Sequence, residues 1–127
     1  MSDSPQKTIV LVGHCGPDSS YLRMTVSRAV KDAAVKMADD QAHLTQLLDQ
    51  GAGLLLVNRV LDYGFDVEMG VDLIRNLRKS HPNVRTMLIT NYPEVQQEAI
   101  AAGALPGFGK REMGSTHVGQ LLQKALA

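Results

Sequence analysis

The run Gly53-Leu54-Leu55-Leu56-Val57-Asn58-Arg59 decides how the chain is read, because an unbroken aliphatic stretch ends abruptly in a polar pair. A short run with no polar face is the pattern of a strand covered on both sides in a parallel sheet. Its length, and the turn-forming Asp62, Gly64 and Asp66 beyond it, favour strand over buried helix. In an open parallel sheet, ligands and reactive groups gather at the carboxyl ends of the strands, so Asn58 falls on the most informative point of the fold. The residue there is an amide, not an acid.

Working outward, Thr8-Ile9-Val10-Leu11-Val12 is a second strand, closed by Gly13 and the turn-rich His14-Cys15-Gly16-Pro17. Asp18 or Ser19 is expected to cap a helix whose apolar positions are Tyr21, Leu22, Met24, Thr25, Val26, Ala29 and Val30. Ala33 to Ala38 reads as a weaker strand near a sheet edge. Asp39 or Asp40 then caps a helix carrying Ala42, Leu44, Leu47 and Leu48 and stopping at Gly51. After Asn58 a longer loop, Val60 to Glu68, leads to a helix that starts at Met69 or Gly70 and buries Val71, Leu73, Ile74 and Leu77.

The turn His81-Pro82-Asn83 precedes a strand over 84–89 that ends at Thr90-Asn91. Pro93 suits the first position of a helix through Val95, Ala99, Ile100 and Ala101 to Gly103. A short strand, Leu105 to Gly109, and a last helix from Ser115 or Thr116 through Val118, Leu121, Leu122 and Leu126 complete the alternation. Five strands alternating with five helices predict a doubly wound α/β sandwich.

Composition bounds the function. The 127 residues make a single domain, 1–127, with residues 1–6 as a loose polar lead-in. Lys plus Arg and Asp plus Glu balance at 13 each, so the chain lacks the positive field of a general nucleic-acid binder. The lone Cys15 permits no internal disulfide, and no apolar stretch approaches the length of a membrane span. A cytoplasmic location is expected, with neither nucleic acid nor membrane as partner.

The common chemical motifs are missing. Neither a GxGxxG fingerprint nor a GK[ST] phosphate loop occurs, although exposed amides in Gly13 to Ser19 offer a weak anion site before a helix. Ser19, His14 and Asp18 are near in sequence without forming a catalytic triad. His14 and Cys15 are good zinc or copper ligands in kind, but no third ligand accompanies them, so no metal and no cofactor are expected.

Taken together, the strand ending at Asn58, Met69-Gly70 opening the third helix, Thr90 ending the fourth strand, Ala102-Gly103-Ala104, and Phe108 two residues before Lys110 resemble the receiver domain of two-component response regulators. The resemblance covers nearly the whole chain. It implies a flavodoxin-like (βα)5 sandwich with a parallel sheet of order 2-1-3-4-5. It also implies that Thr90 matches the hydroxyl that contacts the phosphoryl group, Lys110 the lysine that pairs with it, and Phe108 the switch-like aromatic.

The departures from that family are as informative. The acidic pair that holds Mg²⁺ is matched by Gly13 and His14, and the phosphoacceptor aspartate by Asn58. Glycine and neutral histidine do not replace carboxylate ligands for Mg²⁺, and an amide oxygen is a poor nucleophile. Arg111 stands where the family has a cis-proline, so the Lys110–Arg111 bond is expected to be trans. Asn58 is expected to hydrogen bond to Lys110, Thr90 or loop backbone, with Asp62, Asp66 or Glu68 as replacement anions for Lys110.

The expected function is therefore a non-enzymatic, phosphorylation-independent signalling module that binds a protein partner or itself. The expected face is helix 4, strand 5 and helix 5, where Val95, Ala99, Leu105, Phe108, Val118 and Leu122 lie. The alternatives are an unconventional phosphate-controlled receiver, or a small-ligand or metal sensor built on the altered strand 1 and strand 3 loops.

Overall fold

The computed structural model describes residues 8–61 and 64–126; the expected lead-in, residues 1–6, lies outside them. The elements alternate as β1 (Thr8–Val12), α1 (Gly16–Ala29), β2 (Ala34–Ala38), α2 (Gln41–Asp49), β3 (Leu54–Asn58), α3 (Gly70–Ser80), β4 (Arg85–Ile89), α4 (Pro93–Ala102), β5 (Leu105–Phe108) and α5 (Thr116–Leu126). The sheet order is β2-β1-β3-β4-β5, and every neighbouring pair is parallel. The fold is the expected (βα)5 flavodoxin-like sandwich.

Side-chain alternation along β1 and β3 divides the core into two layers. Val10, Val12, Leu55 and Val57 pack with Leu44, Leu47, Ile74, Leu77 and Ala99 from α2, α3 and α4. Ile9, Leu11, Leu54 and Leu56 pack with Leu22, Val26, Val118 and Leu122 from α1 and α5. Because both faces are covered, β3 carries no polar residue before Asn58, and each fully buried leucine contributes about 1.5–3 kcal/mol.

The helix starts differ in detail from the reading of the sequence. Neither Asp18 nor Ser19 caps α1; the helix starts at Gly16, with extended Cys15 before it and Pro17 in its first turn, which leaves Asp18 inside that turn. Asp40 does cap α2, accepting from the His43 amide at 2.7 Å. At β5 the ladder slips between Met87 and Ile89. Gln96 of α4 bridges the slip: its amide donates to Leu88 O at 2.7 Å, and its oxygen accepts from Gly107 N at 3.2 Å. No peptide bond among the described residues is cis, so Lys110–Arg111 is trans, within a 3₁₀ turn over Lys110–Glu112.

Candidate functional site

The carboxyl ends of β1, β3, β4 and β5 converge at one end of the sheet, and Asn58 ties two of them together. Its Nδ2 donates to Gly13 O at 3.1 Å and to Val60 O at 3.0 Å. Two carbonyl oxygens converge on this position, so only a donor can satisfy both; a carboxylate there would set oxygen against oxygen. Of the partners expected for Asn58, loop backbone is the one observed.

Asn58 opens onto a cleft of about 260 Å³, lined also by Arg59, Thr90, Asn91, Tyr92 and Lys110. The Thr90 hydroxyl accepts the Tyr92 amide at 3.2 Å, and Asn91 Oδ1 accepts the Arg111 amide at 3.2 Å. The Arg59 guanidinium lies over the Tyr92 ring, 5.3 Å from its centroid, as a cation–π contact across the mouth.

The partner of Lys110 is Asp18, Nζ to Oδ2 at 2.5 Å. This corrects the expectation that Asp66 or Glu68 would swing in; Asp62, the third candidate, lies outside the described residues. The loop carrying Asp66 turns the other way, with Asp66 N donating to the Gln41 side chain. The hydrogen bond from Lys110, followed by one from Cys15, holds the Asp18 carboxyl below the ordinary carboxylate pKa against an opposing desolvation.

The end of β1 is filled from above. Val60 and Met69 form an antiparallel bridge, Leu61 N donates to Glu68 O at 2.7 Å, and Gly70 N donates to Arg59 O at 2.8 Å. The β3–α3 loop is thereby drawn into a hairpin-like turn-back, and Gln41 N anchors it to Gly64 O at 2.7 Å. Gly70 allows the close approach, since a Cβ there would lie 2.2 Å from Asn58 O. The loop buries Leu61 and Phe65 over Gly13. A Cβ on Gly13 would lie 2.6 Å from Leu61 Cδ2, and its φ of +73° is itself a glycine conformation. The space beside Gly13 is thus apolar and closed to a side chain.

His14 turns inward and is 7% exposed. Its Nε2 lies 2.8 Å from Leu56 O, while Nδ1 is buried without a partner. Burial, the largest influence, lowers its pKa from 6.5; the bond to Leu56 opposes this, and Lys110 adds to it. Cys15 beside it is exposed. Among the described residues no three His, Cys, Asp or Glu side chains are grouped to hold a metal.

The apolar residues named for the α4, β5 and α5 face need correction as surface groups. Ala99, Phe108, Val118 and Leu122 are buried in the core, and Val95 and Leu105 are half-buried against it. The helical and strand spacing of Ala99, Phe108, Val118 and Leu122 serves the sheet, so these four are not free to meet a partner. What the face does offer is a mainly apolar groove of about 300 Å³ between β4, β5 and α5, lined by Met87, Leu105, Pro106 and Leu121 with Arg85 and Lys124 beside them. Tyr92 and Ile100 are exposed at α4.

Comparison with solved structures assigns the architecture. The fold is that of a receiver domain. The chain superposes on the non-phosphorylated receiver domain of the stress response regulator RcsB from Escherichia coli with a TM-score of 0.73 at 16% identity, covering 92% of each chain. A pilus assembly-related protein from Burkholderia pseudomallei gives 0.73 at 18% identity, over 98% of this chain and 92% of that one. The beryllofluoride-activated NtrC4 receiver domain, solved as a dimer, gives 0.71 at 13% identity, over 94% and 98%. Neither a family model nor a curated protein matches the sequence. At these identities the likeness is one of fold, so the residues at the strand ends must be argued from their own geometry.

Among the described residues no helix is long and apolar enough to cross a membrane. Three features of the site escape a reading of the sequence. In sequence Asp18 reads as a helix cap or as a neighbour of His14 and Ser19, whereas its place in the first turn of α1 brings it to Lys110. Leu61 and Phe65 lie in a loop whose fold-back has no periodic signature. The Arg59–Tyr92 contact joins two loops remote in sequence.

Proposed function

We propose that the chain is a non-catalytic signalling module with a receiver fold whose protein interactions do not depend on phosphorylation. In this reading Asn58 stands at the phosphoacceptor position, and Gly13 and His14 stand where an acidic metal-binding pair would be needed. The observation that carries the proposal is that Asn58, Lys110 and the end of β1 are already committed to one another's loops. Asn58 spends its amide on Gly13 O and Val60 O, Lys110 is paired with Asp18, and Leu61 fills the space beside Gly13. A metal-assisted phosphoryl transfer needs a nucleophilic carboxylate and clustered oxygen ligands, and these contacts offer neither.

A module without transferable chemistry acts through its surface, and the α4, β5 and α5 side is proposed as that surface. The groove between Met87, Leu105, Pro106 and Leu121 supplies an apolar seat, and Arg85 and Lys124 supply charges beside it. Self-association and a heterologous protein partner both suit such a seat. The test is intact-mass spectrometry after acetyl phosphate and Mg²⁺, run beside light scattering and partner capture before and after treatment. No mass gain, with an unchanged association state and an unchanged partner set, is expected. A stoichiometric phosphoryl adduct, or association that appears only after treatment, overturns the proposal.

A further inference from the structure

His14 is a buried histidine held by half of its hydrogen-bonding capacity. Leu56 O can only accept, so the nitrogen 2.8 Å away, Nε2, carries the ring proton, and Nδ1 presents a bare lone pair. That lone pair is buried and has no donor. The backbone around the ring is part of the same small network: Ser19 Oγ donates to His14 O at 3.3 Å, and the preceding carbonyl, Gly13 O, is held by Asn58. The β1–α1 loop is therefore pinned by one ring bond, one hydroxyl and one side-chain amide, beside the backbone bond from Gly13 N to Ala38 O.

Protonation changes one atom decisively. Nδ1 becomes an N–H donor carrying positive charge in a site that provides no acceptor, and a buried unpaired charge cannot stay there. The charged groups that act on the ring are Lys110 after β5, which opposes the imidazolium, and Asp18 in α1 and Asp39 after β2, which favour it; Arg23 of α1 lines the same cavity as a further cation. From β3 the ring receives only the Leu56 carbonyl. Asp18 is already the partner of Lys110, so an imidazolium at position 14 competes with that lysine for one carboxylate.

We propose that His14 is an acid-sensitive latch: on protonation its ring leaves the pocket beneath the β1–α1 loop and draws on Asp18, loosening the loop and the Asp18–Lys110 pair while the sheet stays folded. The inference stands on the fold and the ring's contacts, and holds whether or not the domain is a phosphorylation-independent module. The neutral state is the latched one. Because burial lowers the ring's pKa, the latch is fully set above about pH 6.5 and is lost as pH falls from there through the lower folded value.

The test is an NMR titration of the uniformly labelled chain from pH 7.5 to 5, following the imidazole nitrogens and the backbone amides together. The expected result is an Nε2–H tautomer for His14 at neutral pH and a His14 midpoint below the ordinary histidine value of 6.5. The Asp18, Asn58 and Lys110 amides should move with the His14 midpoint, while Val10, Leu55 and Leu88 keep their shifts. In His14→Gln, whose amide can still donate to Leu56 O, that shared transition should disappear. If the variant does not fold, the tautomer and the shared midpoint in the parent chain decide alone. An Nδ1–H tautomer, a His14 midpoint that the loop amides do not follow, or collapse of the whole sheet at that midpoint overturns the latch.

Discussion

Lys110 and Asp18 form a salt bridge of 2.5 Å across 92 positions of sequence, joining the loop after β5 to the first turn of α1. Each side chain keeps part of its surface in water, 40% for Lys110 and 29% for Asp18, so the pair is screened. Its role is to commit the lysine: with Asp18 beside it, Lys110 has an anion although Asn58 carries no charge.

Asp18→Asn is expected to cost no more than about 1 kcal/mol at neutral pH, the range of a partly exposed ion pair. The Asp18 pKa is held below 3.8, so its stabilising contribution is present above that value and is lost as pH falls through the folded pKa. Denaturant titrations at pH 7 and pH 3 should show a gap between parent and variant at the higher pH that narrows at the lower one. A gap that widens in acid contradicts the assignment.

Gly13→Ala should be far more damaging than its size suggests. The new methyl group meets Leu61 Cδ2 at 2.6 Å on a backbone with φ of +73°. Overpacking and left-handed strain together predict a loss of about 2–4 kcal/mol. Trimming the opposing side chain, as Leu61→Ala, should make the glycine substitution cheaper in that background. Additive losses in the double-mutant cycle would show that the two residues do not compete for this space.

Asn58→Ala removes the donor to the part-buried Gly13 O and the exposed Val60 O and should cost about 1 kcal/mol, the net range of a hydrogen bond whose acceptors can turn to water. Hydrogen exchange should rise at residues 13–16 and 60–61 and stay unchanged in β4. A uniform rise across the sheet would mean that Asn58 supports the core and not the two loops.

Asn58→Asp alone should not create a phosphorylatable domain. The substituted carboxylate would face Gly13 O and Val60 O, and the apolar Leu61 occupies the space where a metal carboxylate beside it would project. Acetyl phosphate with Mg²⁺ should therefore leave the variant's intact mass unchanged; a stoichiometric phosphoryl adduct would show that these loops rearrange readily.

Gln96→Ala should lower stability by about 1–3 kcal/mol, because Leu88 O and Gly107 N both lose a partner where the β4–β5 ladder slips. Amide exchange at Gly107 should accelerate more than at Met87. Equal protection at the two sites would remove the bridging role.

The sequence by itself determined the layering. Unbroken Leu54 to Val57, by its length and the turn residues beyond it, favours a strand buried on both faces, and its alternation with helices whose apolar positions recur every three or four residues points to a parallel doubly wound sheet as the way to bury them. It also located Asn58, Thr90 and Lys110 at strand ends, because those positions follow from strand register. Tertiary structure alone decided what these residues touch. That Lys110 meets Asp18, that Leu61 and Phe65 close the space over Gly13, and that His14 turns inward to Leu56 are contacts between loops. Loops carry no periodicity, and their partners are separated by long stretches of chain. The same limit explains Ala99, Phe108, Val118 and Leu122, whose spacing marked them as apolar positions while packing decided which of them are wholly buried in the core.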